Sequence, residues 1–336
     1  KQKLEGYATL NLPTDFERPQ VRRNLGVSYG FNLPEEAAAN LYQFNQQHNL
    51  SVFMTMLSAF NILLSRYSGQ NDICVGTSVA SREHVELEQM IGFFVNTVVF
   101  RNQINRNAKI LDFVNEVKTS TQEALNHKDI PFEKVVEAVV KERDTSRSPL
   151  FQVMLVVNNT PEVAELKLGN TEISFENSGL NLSKFDLTFF VKEIEGKIAC
   201  SIQYNVDLFA NESIRHFANH FVEILQSVTT NPNQKIEEIG LVDKKEEDLL
   251  NKFGNKAISY NEQQTIVSLF KEQVLKHPKA SALEFENAVM TYEELDKETD
   301  EVAIGLKHMG VKQGDMVPLM VERGMEMIVG LMGILK

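Results

Sequence analysis

The chain has 336 residues, of which 43% are hydrophobic and 24% charged, and a formal net charge of −12. That length suits two domains, or one large domain with an appendage, and the composition is ordinary for a globular protein. The acidic balance argues against nucleic acid or an anionic membrane as the main partner, because both select basic surfaces.

Leu10 to Pro19 reads as an extended connector, since Pro13 and Pro19 restrict themselves and their predecessors. Asn32 and Pro34 open a helix through about His48, with Leu33, Ala37, Leu41 and Phe44 at helical spacing. Ser51 can cap a second helix, Val52 to Tyr67, which is apolar on nearly every side and so belongs in a core. Asp72 to Val79 and Phe93 to Phe100 are rich in β-branched and aromatic residues and read as strands. Helices come next at about Ile110 to Asn126 and Phe132 to Lys141, with Pro131 suited to the first turn of the latter. Leu150 to Val157 is an unbroken apolar run, as in a strand covered on both faces. Lys184 to Ile194 and Lys197 to Val206 flank Glu195-Gly196, a hairpin turn. Ile214, Phe217, Phe221, Ile224, Leu225 and Val228 trace one face of a long helix.

The texture then breaks. Thr229 to Gln234 is polar with Pro232, and Asp243 to Asn255 is charged and contains Gly254, which is linker composition. Beyond it, helices at Val267 to Lys276, Tyr292 to Met309 and from Arg323 alternate with strands at Ser281 to Phe285 and Met316 to Val321. That alternation predicts a parallel α/β unit, here with too few strands to cover its sheet. The apolar helix Met325 to Leu335 is then expected to lack the layer it packs against.

Cys74 and Cys200 sit in apolar, strand-like runs far apart in sequence, which predicts buried free thiols in a reducing compartment. Lys1 to Gly6 carries no apolar signal region. The most apolar runs, Val52 to Leu64 and Met325 to Leu335, fall short of the ~20 residues that span a bilayer. The expectation is a cytoplasmic chain with no membrane partner.

Four strings stand out. Ile91-Gly-Phe-Phe-Val-Asn-Thr97 combines a glycine that lets backbone approach closely with Phe94 and the amide of Asn96; from composition alone an ordinary buried strand with a bulge glycine is the better reading. His127-Lys-Asp-Ile-Pro-Phe-Glu133 places His127 and Asp129 two apart, an acid–base pair or, more simply, a cap for a helix that Pro131 starts and Phe132 packs. Arg143-Asp-Thr-Ser-Arg-Ser-Pro-Leu-Phe-Gln152 clusters Arg143, Asp144 and Arg147, which in a loop form a hydrogen-bonded clamp rather than a catalytic centre. In Ser183-Lys-Phe-Asp-Leu187, Asp186 lies among Phe185, Leu187 and Phe189 and must be paired or hydrogen-bonded. His216 and His220, at i and i+4, lack the intervening glutamate of a metalloprotease and any suggested third ligand, so they read as a solvated or boundary pair. No phosphate loop of the Gly-x-x-x-x-Gly-Lys-Ser/Thr type occurs.

These strings, in this order, resemble the late core motifs of nonribosomal peptide synthetase condensation domains. Thr291-Tyr-Glu-Glu-Leu295 and Gly330 to Lys336 resemble the opening motifs of an adenylation domain. The resemblance implies a chloramphenicol acetyltransferase-like, mixed α/β C-terminal lobe over 1–240, a linker over 241–262, and an incomplete α/β adenylation-domain segment over 263–336. It implies that Gly92, Phe94, Asn96, Ser183 and Asp186 border the tunnel where two carrier-bound substrates meet. His127, Asp129, Pro131, Phe132, Arg143, Asp144 and Arg147 are then structural. The family's catalytic His-His-x-x-x-Asp-Gly is not found, since no two histidines are adjacent, so no catalytic residue is assigned and the isolated chain is expected to be an inactive fragment. The implied partners are the missing N-terminal condensation lobe and upstream and downstream peptidyl carrier domains with phosphopantetheine arms. This chain is expected to bind no cofactor or metal of its own. ATP and Mg belong to the complete adenylation domain. Epimerisation or heterocyclisation domains share the fold, and a non-catalytic carrier-docking module is the alternative of another class.

Overall fold

The helix over Val52–Ser68 organises the larger part of the fold, because it can bury every face of its middle turns. Residues 55–65 of it are all buried, and its first turn is capped by Ser51 Oγ, which accepts from Met54 N at 3.2 Å. In this computed structural model the described residues are 1–80, 85–88, 90–141, 144–158, 167–168, 171–172, 182–194, 196–242, 244–254 and 263–336. They form two compact units, Lys1–Asn251 and Lys252–Lys336.

In the first unit the order is β1 (Gly26–Asn32), α1 (Glu35–His48), α2 (Val52–Ser68), β2 (Asp72–Ala80), α3 (Val85–Glu88), β3 (Val95–Gln103), α4 (Ile110–Leu125), α5 (Phe132–Val139) and β4 (Val153–Asn158). Two-residue β5 (Lys167–Leu168) and β6 (Thr171–Glu172) come next, then β7 (Leu187–Ile194), β8 (Lys197–Asn205), α6 (Asn211–Thr230) and α7 (Lys244–Gly254), whose last three residues belong to the second unit. Six strands make one mixed sheet in the order β1-β8-β7-β4-β2-β3. Its middle strand β4 runs parallel to both neighbours, β2 and β7, and the outer pairs are antiparallel. A strand with parallel neighbours is covered on both faces, which is why its sequence is continuously apolar.

Strand alternation sends side chains to two cores. Ile73, Val75, Val153, Leu155, Phe189 and Ile202 meet Phe60, Phe113, Phe217 and Phe221 from α2, α4 and α6 on one face. Phe60 contacts Phe189 and Phe217 with ring centroids 5.6 and 6.3 Å apart. On the other face Cys74, Leu150, Phe151 and Met154 pack against Val136 of α5. Cys74 and Cys200 are free, buried and divided between these cores. Burial pushes both thiols up to about 12, with the Asp72 carboxylate adding to it at Cys74. A thiol reagent at pH 8 is therefore expected to leave the folded chain untouched and to titrate both cysteines once denaturant is added. Reaction of either thiol in the native chain, at the rate of a free cysteine, would contradict this.

One expectation is corrected here and two gaps are filled in. Gly26–Asn32, unassigned in the sequence, is an edge strand, mostly exposed and weakened in pattern by its two glycines. The strand expected from Leu150 begins at Val153. Leu150 sits at φ 68° in a three-residue turn closed by Phe151 N donating to Pro149 O at 2.9 Å. The stretch 241–262, read as linker, contains α7. Among the described residues no single helix is long and apolar enough to cross a membrane.

The second unit contains α8 (Ile266–Lys276), β9 (Ser281–Phe285), β10 (Ala288–Thr291), α9 (Tyr292–His308) and α10 (Met325–Leu335). Thr291 and Glu294 make a reciprocal cap at the start of α9, with bonds of 2.8 and 3.3 Å. The parallel pattern expected here is not what forms: β9 pairs with β10 as an antiparallel hairpin, and Met316 to Val321 has no strand partner among the described residues. Nor is α10 left without a layer. A Cβ at Gly333 would lie 2.6 Å from Val302 Cβ, and one at Gly330 2.7 Å from Leu319 Cδ1, so the glycines let the helix pack closely on α9 and the segment before it. Lys336 Nζ closes the contact on Asp296 Oδ1 at 2.5 Å and Asp300 Oδ1 at 2.8 Å. The opposite side of α10, with Leu331 and Leu335, stays exposed.

Candidate functional site

Asn96 joins the first two strings. Its Nδ2 donates to Lys128 O at 2.6 Å and Ile130 O at 2.7 Å, and its Oδ1 accepts from Phe132 N at 3.3 Å. One amide thus satisfies the turn after α4 and the first free N–H of α5. The sequence reading gave that capping role to His127 or Asp129. Both lie exposed in the turn, α5 has no side-chain cap of its own, and Pro131 occupies the N-cap position. A strand residue 36 positions upstream supplies what a local cap would.

Phe132 carries the connection onward. Its ring centroid is 5.6 Å from that of Phe151, which lies 5.0 Å from Phe185, so the second, third and fourth strings share an aromatic row. Gly76 of β2 makes room for this row: a Cβ there would fall 2.3 Å from Phe151 Cε2. Phe132 also lines two cavities beside α5. One of about 550 Å³ includes Val136, Arg147 and Gln152, and one of about 490 Å³ includes Thr97, Val99 and His127.

The fourth string is anchored by residues the sequence reading did not single out. Arg18 grips Asp186 with two bonds, Nη1 to Oδ1 at 3.0 Å and Nη2 to Oδ2 at 2.5 Å, and their side chains are 16% and 3% exposed. Asp186 N donates to Gln152 O, and Gln152 Oε1 accepts from Leu10 N, both at 2.9 Å. Ser183 Oγ donates to Phe185 O at 2.6 Å, and a Cβ on Gly26 would fall 2.8 Å from Ser183 Cβ. Arg147 reaches Leu10 O at 2.9 Å and Asn11 Oδ1 at 3.2 Å. Asp144 accepts from the hydroxyl and N–H of Ser146, which hold its carboxyl below the usual range. Arg143 lies outside the described residues. A lone aspartate in an apolar string requires a cation, and Arg18, Arg22 and Arg23 were the signal available to find one.

Gly92 and Phe94 lie just before β3, in a segment that carries large apolar side chains into solvent: Ile91 is fully exposed and Phe93 is 92% exposed. The expectation of a close-packed Gly92 narrows accordingly. The atoms nearest to a Cβ there belong to the Phe94 ring, the first at 2.8 Å, in a mostly exposed stretch. Gly92→Val is therefore expected to cost no more than about 1 kcal/mol, the low end of overpacking, because the nearest obstacle is one side chain rather than backbone. A melting-temperature loss like that of a core substitution would contradict this. Among the described residues no group of three or more His, Cys, Asp or Glu side chains is arranged to hold a metal ion.

A six-stranded mixed sheet with helices on both faces defines a mixed α/β unit, and the four strings meet around α5 and the start of β7. The family model described as Condensation domain matches residues 1–251, and the chain belongs to that family. Residues 270–336 match the family model described as AMP-binding enzyme. Gramicidin S synthase 2 of Brevibacillus brevis is 37% identical over 333 residues, which is 99% of this chain and 8% of that protein. Tyrocidine synthase 3 of Brevibacillus parabrevis is 36% identical over 97% of this chain and 5% of its own length. The chain thus spans less than a tenth of these curated relatives. Among solved structures, a four-domain nonribosomal peptide synthetase bound to AMP and glycine superposes with a TM-score of 0.81 at 24% identity, over 99% of this chain and 26% of that one. The X-domain from teicoplanin biosynthesis does so with a TM-score of 0.67 at 26% identity, over 72% and 55%.

Proposed function

We propose that this chain works as part of a nonribosomal peptide synthetase. Its first unit is the C-terminal lobe of a condensation domain and its second opens an amino-acid adenylation domain, with functional boundaries at 1–240, 241–262 and 263–336. The observation that carries this is the order of the two family matches, condensation then AMP-binding, along one chain. The complete domain joins a donor acyl or peptidyl thioester to the amine of an acceptor aminoacyl thioester. The amine nitrogen attacks the thioester carbonyl, the donor thiolate leaves, and a base removes the proton that the new amide sheds. Both substrates ride on phosphopantetheine arms of carrier domains, while ATP and Mg serve the complete adenylation domain.

The residues of this chain act by holding shape. Asn96 fixes the turn before α5, and the Arg18–Asp186 pair fixes the start of β7; Gly92, Phe94, Asn96, Ser183 and Asp186 are the residues proposed to border the tunnel. The exposed Ile91 and Phe93 suit a face that another lobe covers, since large apolar side chains grouped in water mark interaction surfaces. The test uses charged donor and acceptor carrier proteins. The chain extended upstream by a lobe bearing His-His-x-x-x-Asp-Gly is expected to form dipeptidyl thioester, and the isolated chain none above a no-protein control. Product from the isolated chain, or none from the extended one, would refute the reading.

A further inference from the structure

His216 and His220 do not face solvent as a bare pair. Glu246, from α7, spans them: Oε1 lies 2.5 Å from His216 Nδ1 and Oε2 lies 2.9 Å from His220 Nε2. The far nitrogen of His220 meets the Tyr67 hydroxyl at 2.7 Å. Burial, with the Glu246 carboxylate adding to it, pushes the Tyr67 phenol up to about 12, so it stays protonated. A carboxylate oxygen accepts, so the His220 Nε2 that faces Glu246 is placed to donate, with the Tyr67 hydroxyl on the other ring nitrogen. His216 turns Nδ1 to Glu246, while its Nε2 lies 3.4 Å from Glu212 Oε1.

The surroundings of this bridge make it decisive. Of the α7 side chains described, Glu246 is the only one not exposed; Leu249, Leu250 and Phe253 are 52%, 60% and 78% exposed. The helix has 11 residues, a length at which an isolated helix is marginal in water. Little apolar burial therefore holds it in place, and a segment held so lightly belongs to the low-stability end of a fold.

We propose that Glu246 is a latch. It holds α7 against α6 through the two histidines, and its release frees and unwinds α7 as a unit while the sheet stays folded. Release lengthens the path that α7 spans: its 11 residues cover about 16 Å as helix and at most about 40 Å extended. The latch thereby sets the reach of the chain beyond Gly254.

The test is hydrogen exchange on the full 336-residue chain. Glu246→Gln keeps the length and helix propensity of the side chain but removes the double acceptor. The amides of 244–254 are expected to exchange at least about tenfold faster than in wild type, as loss of a charged hydrogen bond implies. Exchange in β2 and β7 is expected to stay unchanged. His216→Gln with His220→Gln should reproduce the effect, and Glu247→Gln, on the exposed neighbour, should not. Unchanged protection of 244–254 in Glu246→Gln, an equal effect of Glu247→Gln, or loss of protection throughout the sheet would each overturn the proposal.

Discussion

Arg18→Met is expected to lower the melting temperature of the first unit by about 6–20 °C, since breaking a buried pair by deleting one partner costs about 3–5 kcal/mol and each kcal/mol moves the melting point of a unit this size by about 2–4 °C. Asp186 is 3% exposed and receives two guanidinium bonds, so removing Arg18 strands a carboxylate among Phe185, Leu187 and Gln152. Arg22 is near, but its guanidinium is committed to Asn24 Oδ1 and Ser148 Oγ, and burial already pulls its pKa below the ordinary value. Replacing both partners, Arg18→Met with Asp186→Asn, removes the stranded charge and is expected to recover more than half of the loss. Calorimetry on the four proteins of this cycle measures it. A single-variant loss under about 1 kcal/mol, the range of a surface pair, would show that water reaches the carboxylate.

The same pair shows what the sequence could and could not disclose. Asp186 announced a need for a partner because a carboxylate between aromatics is costly, yet nothing local named Arg18, which lies 168 positions away. Elements whose reasons are local were legible: the apolar middle of Val52–Ser68, the one-sided stripe of Asn211–Thr230, and the β7–β8 hairpin with Gly196 at φ 77°. Elements whose reasons are tertiary were not. Leu150 leaves the strand pattern because its side chain is drawn into the α5 core, at the expense of a positive φ. The edge strand Gly26–Asn32 owes its pairing to β8 rather than to its own alternation. In the second unit, Met316 to Val321 has a strand's composition, but composition makes no strand without a partner to bond. The strings themselves were visible from the start. Their meeting through Asn96, Phe132, Phe151 and Phe185 is a property of the sheet, since β3, β4 and β7 bring together residues about 90 positions apart.

Asn96→Asp is expected to be far more damaging than Asn96→Ala, although it changes one atom. Asn96 is half-buried, so in the alanine variant water can reach Lys128 O, Ile130 O and Phe132 N, and the loss should stay near about 1 kcal/mol. In the aspartate variant an oxygen replaces the Nδ2 that lies 2.6 and 2.7 Å from two carbonyl oxygens. Three acceptors then converge without a proton, and the cost rises to about 3 kcal/mol. The pH dependence has a definite sign. The carbonyls favour the protonated acid, which can donate to one of them, so this carboxyl is raised above its unfolded value of about 3.9. The destabilisation is thus full at neutral pH and shrinks as pH falls through that raised value, whereas the alanine variant has no such trend relative to wild type. Thermal melts of the three proteins between about pH 4 and 7 read this directly. In a synthetase carrying the complete condensation domain, Asn96→Asp should also depress turnover with donor and acceptor carriers more than Asn96→Ala does, because the turn entering α5 shifts. Equal losses for the two variants at neutral pH would mean that the amide donors do not hold this turn, and that Asn96 contributes only its bulk.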